Sequence, residues 1–153
     1  MKKFNDLVAE SAKNITEIFP WDLEERFAEN PSLLVLDIRE PYEYEAMHIK
    51  DSLNVPRGVL ETACEWDYEE TVSDLVNARD REIIVACRSG NRSIFACEVM
   101  QKLGYNNVVS LKTGLRGWSD YEQPLHNNDG EEVDEDTAID YFTTNLRTDQ
   151  MAP

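Results

Sequence analysis

The stretch that decides the fold class is residues 83–93, IIVACRSGNRS. Its four leading apolar residues are typical of a strand buried on both faces, and a short polar loop then leads into a segment of helical apolar spacing. Further strand candidates, and the helical segments between them, predict an α/β domain with a mostly parallel sheet. The strand candidates are residues 33–38, 52–55 and 108–111, and the helical segments are residues 69–78 and 93–103.

Cys87 stands where this strand meets the loop, just before a predicted helix. Backbone N–H groups at a helix N-terminus carry partial positive charge, and Arg88 and Arg92 add two full charges. Such surroundings stabilise a cysteine thiolate and make it nucleophilic. A buried structural cysteine is the alternative, but packing alone does not explain two arginines and Gly90 beside it. We therefore predict a reactive Cys87.

Composition narrows the function classes. The chain has 153 residues, 31 of them acidic and 15 basic, for a formal net charge of -16. This length suits one domain with extensions. We expect no nucleic-acid or membrane partner, because nucleic acids and anionic membranes are bound by concentrated Lys and Arg. No apolar run approaches the roughly 18 residues of a membrane span, and no secretory signal is visible.

The three cysteines, Cys64, Cys87 and Cys97, show neither paired spacing nor the spacing of metal ligands. We therefore expect no metal and no disulfide framework. A free, working thiol is kept reduced in the cytoplasm, so the expected location is cytoplasmic.

Both ends of the chain extend beyond the alternating strands and helices. Residues 4–15 have amphipathic helical spacing, residues 126–136 are polar and acidic, and residues 137–147 carry apolar side chains on one helical face. We predict three parts: an N-terminal helical extension (1–14), a core domain (15–125), and an acidic linker with a C-terminal helix (126–153).

Five short motifs follow one another along the chain. They are Asp37-Ile38-Arg39, His48-Ile49, Asn54-Val55-Pro56, the loop of residues 87–93, and Gly114-Leu115-Arg116-Gly117-Trp118. In kind and order they resemble the motifs of the single-domain rhodanese family of sulfurtransferases. The resemblance covers residues 15–125, although Met47 and Thr113 stand where many members have glycine. It implies a rhodanese-like fold, with a mostly parallel five-stranded sheet flanked by helices.

The resemblance also implies a mechanism with no cofactor. The catalytic Cys87 would take sulfane sulfur from thiosulfate or a persulfide donor, hold it as a persulfide, and pass it to cyanide, a thiol or a sulfur-carrier protein. Asp37 and Arg39 would support the strand end as an ion pair. Ser93 would cap the following helix. The loop would bind the small anionic substrate and the persulfide through Arg88, Ser89, Gly90, Asn91, Arg92 and Ser93.

Two other functions are compared with this one. The fold could serve as a binding or regulatory module, a sulfur carrier or docking partner, although such a module need not retain the cysteine and both arginines. A phosphatase is the weaker alternative: related phosphatases place five residues between cysteine and arginine, whereas four separate Cys87 from Arg92. His48, Cys64 and Cys97 are interpreted as structural. The physiological donor and acceptor, and the oligomeric state, stay open.

Overall fold

The computed structural model describes all residues from 1 to 153. At its centre is a five-stranded sheet in the order β1-β5-β4-β2-β3, in which every neighbouring pair is parallel. The predicted α/β fold with a five-stranded parallel sheet is therefore confirmed. The strands are β1 (Glu17–Ile18), β2 (Leu34–Asp37), β3 (Leu53–Asn54), β4 (Ile83–Ala86) and β5 (Val108–Leu111).

Eight helices surround the sheet, and none of them is both long and apolar enough to cross a membrane. Residues 69–78 are predicted as one helix, but only Ser73–Val76 are helical, so the predicted helix is too long. Two further short elements are 3-10 turns at Arg57–Val59 and Thr148–Gln150. The helices are α1 (Phe4–Ala12), α2 (Pro20–Glu29), α3 (Pro41–Ala46), α4 (Leu60–Ala63), α5 (Ser73–Val76), α6 (Arg92–Lys102), α7 (Gly114–Asp120) and α8 (Glu135–Phe142).

The central strands divide their side chains between two apolar clusters, one on each face of the sheet. In β4, Ile83 and Val85 belong to one cluster and Ile84 and Ala86 to the other, as the two-residue period of a strand requires. The first cluster includes residues of α4, α5 and α6, and the second includes residues of α2, α7 and α8. Cys87 continues the alternation and lies on the α6 side of the sheet.

The C-terminal segment packs against the domain. His48 and His126 exchange backbone hydrogen bonds of 2.8 Å in both directions, which forms an antiparallel bridge. Ala138 and Phe142 of α8 are buried in the cluster that holds Trp118 of α7. These contacts were not indicated by the acidic composition of residues 126–136. The three-part division of the chain stays a prediction.

Phe142 provides a test of this packing. Its side chain is 2% exposed, and Phe→Ala in a core costs roughly 3–5 kcal/mol, so Phe142→Ala should lower the free energy of unfolding by about that amount in urea denaturation. Ile139→Ala on the same helix is the matched control, because Ile139 is 51% exposed and its loss should cost under about 0.5 kcal/mol. Equal stability of the two variants would show that α8 does not belong to the core.

Candidate active site

Cys87 lies just beyond the carboxyl end of β4, the middle strand of the sheet. β4 lies between β5 and β2, and its last residue, Ala86, precedes the cysteine directly. Ligands of parallel α/β sheets bind beyond the carboxyl ends of the strands, where the connecting loops meet. The loop after Cys87 runs for four residues and then enters α6 at Arg92.

Three hydrogen-bonding groups of this loop surround the Cys87 sulfur. The backbone N–H of Gly90 donates to Sγ at 3.2 Å, the backbone N–H of Ser93 at 3.3 Å, and the Ser93 hydroxyl oxygen lies 3.4 Å away. As a thiol, Cys87 donates to the Ser93 hydroxyl and accepts from the two N–H groups. A thiolate at this place would accept all three hydrogen bonds. The N-terminus of the 11-residue α6 adds its partial positive charge. The loop is therefore suited to hold an anionic sulfur.

Gly90 makes this loop shape possible. Its φ of +86° lies in the left-handed region, which glycine adopts without a steric cost. A Cβ at this position would stand 2.9 Å from the backbone nitrogen of Thr113, so any larger residue would push the loop away from β5 and α7.

The predicted capping role of Ser93 is wrong. α6 begins at Arg92, its N-cap residue is Asn91, and no side chain caps the helix. Ser93 lies inside the first turn, where its hydroxyl faces the buried sulfur and lies 2.7 Å from the hydroxyl of Ser110 on β5. Either hydroxyl can donate in the bond between Ser93 and Ser110; when Cys87 is a thiolate and Ser93 donates to it, the Ser110 hydroxyl donates to Ser93. Sequence reasoning missed Ser110.

Arg92 is paired with an acidic residue that the sequence analysis also missed. Its guanidinium donates two hydrogen bonds of 2.9 Å to the carboxylate of Glu43 on α3. Burial raises the pKa of Glu43, but the hydrogen bonds from Arg92 and from the Glu40 N–H outweigh it and hold that pKa below its usual value. Hydrogen bonding to Glu43 in turn raises the pKa of Arg92. Both groups are therefore charged, and Glu43 offsets the positive charge of Arg92 beside Cys87.

Arg88 forms no salt bridge with an acidic residue. Its Nη2 donates to the backbone carbonyl of Phe142 at 3.0 Å, which anchors the guanidinium to the end of α8. A neutral carbonyl leaves the positive charge of Arg88 uncompensated, so this side chain is the one of the two loop arginines that can attract an anion.

The predicted ion pair between Asp37 and Arg39 is present and fully buried. The Arg39 guanidinium donates to the Asp37 carboxylate at 2.8 to 3.2 Å and also to the Met47 carbonyl at 2.7 Å. Asn54 donates to the backbone carbonyls of both residues at 3.0 Å. None of these bonds reaches Cys87, so the pair braces the end of β2. Removing one partner of such a buried pair leaves an uncompensated charge.

Cys87 forms the floor of a small cleft of about 190 Å³. The cleft is smaller than the roughly 300–1,000 Å³ typical of sites for drug-sized ligands, so it suits a ligand of only a few atoms. Phe4 of α1, which contacts Phe95 of α6 at 6.2 Å between ring centroids, closes one side and was not predicted. The cleft is lined by Phe4, Cys87, Arg88, Ser89, Asn91 and Arg92.

The other candidate residues have structural surroundings. His48 stacks on Tyr44 at 3.8 Å, and its Nδ1 lies 2.7 Å from the Tyr44 carbonyl oxygen. Cys64 and Cys97 are buried, and burial raises the pKa of both thiols, which keeps them protonated and poorly nucleophilic.

In this α/β domain, a buried strand ends at a cysteine whose sulfur is surrounded by hydrogen-bonding groups of the following loop. This arrangement suits a reactive thiolate. The family model "Rhodanese-like domain" matches residues 20–121 of this chain. The chain therefore belongs to the rhodanese-like family, as its motifs indicate.

Two relatives give the family a chemical context. A protein of Allochromatium vinosum named "Sulfurtransferase" is 30% identical over 111 residues, which are 72% of this chain and 94% of the relative. YrkF of Bacillus subtilis, whose name describes a candidate sulfur carrier protein, is 32% identical over 119 residues. These are 78% of this chain but 59% of YrkF, so the chain spans about three fifths of that protein.

A solved structure agrees on the fold. A protein of unknown function from Rhodopseudomonas palustris, described as a possible tyrosine phosphatase, has a TM-score of 0.74 at 22% identity. The match covers 82% of this chain and 96% of that one. At this identity the likeness concerns the fold alone.

Ser110 offers a test of the hydrogen bonds around Cys87. Ser110→Ala removes the donor that orients the Ser93 hydroxyl toward Sγ, so alkylation of Cys87 by iodoacetamide should slow by roughly threefold to tenfold, the equivalent of about one hydrogen bond. The measurement is the alkylation rate at fixed pH by intact-protein mass.

Ser119→Ala is the control for this test, because the Ser119 hydroxyl makes no hydrogen bond within the protein and its loss should leave the rate unchanged. An unchanged rate in Ser110→Ala would contradict a role for Ser110 in orienting Ser93.

Proposed function

We propose that this protein is a sulfurtransferase that carries sulfane sulfur as a persulfide on Cys87, with thiosulfate or a persulfide as donor and a thiophilic group as acceptor. The observation that carries the proposal is the pair of backbone N–H groups that donate to Sγ at 3.2 and 3.3 Å, with the Ser93 hydroxyl 3.4 Å away. Membership of the rhodanese-like family and a relative named a sulfurtransferase support it. A reducing compartment such as the cytoplasm would keep Cys87 available.

The first step is a nucleophilic displacement at sulfur. The Cys87 thiolate attacks the outer sulfur of thiosulfate, a bond forms between the two sulfurs, and the bond to the sulfonate sulfur breaks. Its electron pair leaves with sulfite. The product is a Cys87 persulfide anion, which the N–H groups of Gly90 and Ser93 stabilise in place of water.

The charges of the cleft fit a small anionic donor. Glu43 offsets the charge of Arg92, whereas Arg88 has no acidic partner and is one of the residues that line the cleft of Cys87. A sulfonate bound by Arg88 would receive charge-assisted hydrogen bonds. In a chain of net charge -16, this arrangement concentrates positive charge where the donor has to bind.

In the second step the outer sulfur leaves Cys87. An acceptor thiolate attacks it, the bond to Cys87 Sγ breaks, and the electron pair returns to Cys87 as a thiolate. The acceptor takes the sulfur away as its own persulfide. A protein that receives sulfur in this way is a second kind of acceptor, and the candidate sulfur-carrier function of YrkF favours it.

A phosphatase is a weaker second function. The four-residue spacing from Cys87 to Arg92 gives a loop one residue shorter than in related phosphatases. Arg92 also uses two of its five N–H donors on the Glu43 carboxylate, which offsets the charge that a phosphate would need. A binding module without chemistry does not account for the donors that converge on Sγ.

The assignment of Cys87 is tested by sulfur loading. Incubation with thiosulfate should add one sulfur atom to the intact protein, and Cys87→Ser should abolish the addition because burial raises the pKa of the other two thiols and keeps them protonated. Intact-protein mass spectrometry measures both. Cys97→Ala is the control and should load as the wild type does. Addition of sulfur to the Cys87→Ser variant would contradict the proposal.

The role of Arg88 is tested by comparing donors. Arg88→Ala removes a charged hydrogen-bond donor, so kcat/KM for thiosulfate should fall by about tenfold to a hundredfold, whereas loading from a neutral alkyl persulfide should change little. Arg147→Ala, at an exposed site in the C-terminal segment, is the control. Equal losses with the two donors would show that Arg88 does not recognise the sulfonate.

A further inference from the structure

Cys87 is fully buried, although the proposed reaction requires a donor and an acceptor to touch its sulfur. Its exposed fraction is 0%, so solvent water does not reach it in this conformation. A sulfur atom is larger than a water oxygen, and a reactant therefore reaches Sγ only after part of the wall of the cleft has moved. Which part of the wall moves decides which molecules react.

The loop that forms most of this wall is held in place by hydrogen bonds. The carbonyls of Cys87 and Arg88 accept hydrogen bonds from the N–H groups of Leu115 and Arg116 at 2.9 and 3.0 Å. The side chains of Arg88 and Arg92 are bound to α8 and α3. Moving the loop would break these bonds together with those around Sγ, so the loop is the fixed part of the cleft.

Phe4 forms the remaining part of the wall. It is the only residue lining the cleft that lies outside the loop and the start of α6. It is 54% exposed, and its ring contacts Phe95 of α6 in a tilted arrangement, with 6.2 Å between the ring centroids. Because part of the ring already faces water, the ring can turn away without leaving a buried cavity behind. Phe4 is therefore the part of the wall that moves.

The helix that carries Phe4 is itself attached only by apolar contacts. None of the residues of α1 is buried, and Val8 and Ala12 are partly buried against the first apolar cluster. No hydrogen bond or salt bridge joins α1 to a residue beyond Ile15, and the first polar link after the helix is the bond from the Gln101 side chain to the Asn14 carbonyl. Segments with so few buried contacts open at a low cost in free energy. Phe4 can therefore move while the rest of the domain stays folded.

We propose that Phe4 is a specificity-determining residue of the Cys87 cleft: its ring limits the size of the group that a reacting sulfur carries. A small group fits beneath the ring after a slight displacement, whereas a bulky group has to separate the ring from Phe95. This inference rests on the proposed sulfur transfer and adds a selection by size to the selection by charge at Arg88. Phe4 lies outside residues 20–121, which match the family model, so this selection belongs to the N-terminal extension of this chain.

The size limit is tested with two donors that share their reacting atoms. Methanethiosulfonate and benzenethiosulfonate are anions in which an outer sulfur is bonded to a sulfonyl sulfur, and they differ in carrying a methyl or a phenyl group. The Cys87 thiolate attacks the outer sulfur, the bond between the two donor sulfurs breaks, and its electron pair leaves with the sulfinate. The measured quantity is kcat/KM for benzenethiosulfonate divided by kcat/KM for methanethiosulfonate, with cyanide as the acceptor and the full-length protein.

Substitutions of Phe4 should change this ratio in both directions. Phe4→Ala widens the cleft and should raise the ratio at least about tenfold, the lower end of what one methylene changes in an apolar pocket. Phe4→Trp narrows the cleft and should lower the ratio. Leu7→Ala is the matched control and should keep the wild-type ratio, because Leu7 lies on the same helix, is 43% exposed and does not line the cleft. An unchanged ratio in both Phe4 variants, or an equal rise in Leu7→Ala, would overturn the inference.

Alkylation separates this inference from the proposed function, because it involves no sulfur transfer. Iodoacetamide and N-benzyl-iodoacetamide react through the same carbon and differ in size, and intact-protein mass gives the rate at which each modifies Cys87. Phe4→Ala should speed the reaction of the benzyl reagent at least about tenfold more than that of iodoacetamide. If it does so while neither thiosulfonate loads sulfur, the role of Phe4 stands and the sulfurtransferase proposal fails. If sulfur is loaded while Phe4→Ala changes both alkylation rates by the same factor or not at all, the role of Phe4 fails alone.

Discussion

The rest of the site depends on the hydrogen bonds that the loop directs at the Cys87 sulfur. A thiolate at the end of a buried central strand loses the water that would solvate it, and it is stable only if protein donors replace that water. Gly90 and Ser93 supply these donors from the backbone. The loop can turn back far enough because Gly90 adopts a left-handed conformation and Gly114 allows α7 to approach closely.

The two arginines of the loop differ in their partners, and therefore in how much of their positive charge is compensated. Glu43 compensates Arg92, which fixes the start of α6 against α3. A backbone carbonyl of α8 holds Arg88 without neutralising it. One uncompensated cation, Arg88, therefore lines the cleft of Cys87. The cleft of Cys87 thus carries positive charge although the net charge of the chain is strongly negative.

The sequence predicted the parts of the fold whose residues are buried on both faces. β2, β4 and β5 were predicted from short apolar runs and β3 from the shorter segment 52–55, whereas β1 has two residues and no pattern. At the site, Cys87 and its loop were visible as a motif. Ser110 is a single hydroxyl in an apolar strand, and the anchor of Arg88 is a backbone carbonyl, which no side-chain pattern reveals. Both are products of tertiary packing.

The most direct test of the central claim is a crystal structure of the protein after incubation with thiosulfate. The account predicts one extra sulfur atom bonded to Cys87 Sγ, lying inside the loop and within hydrogen-bond distance of backbone N–H groups of residues 88–93. Extra density on a different residue, or a Cys87 persulfide that points away from the loop, would contradict it.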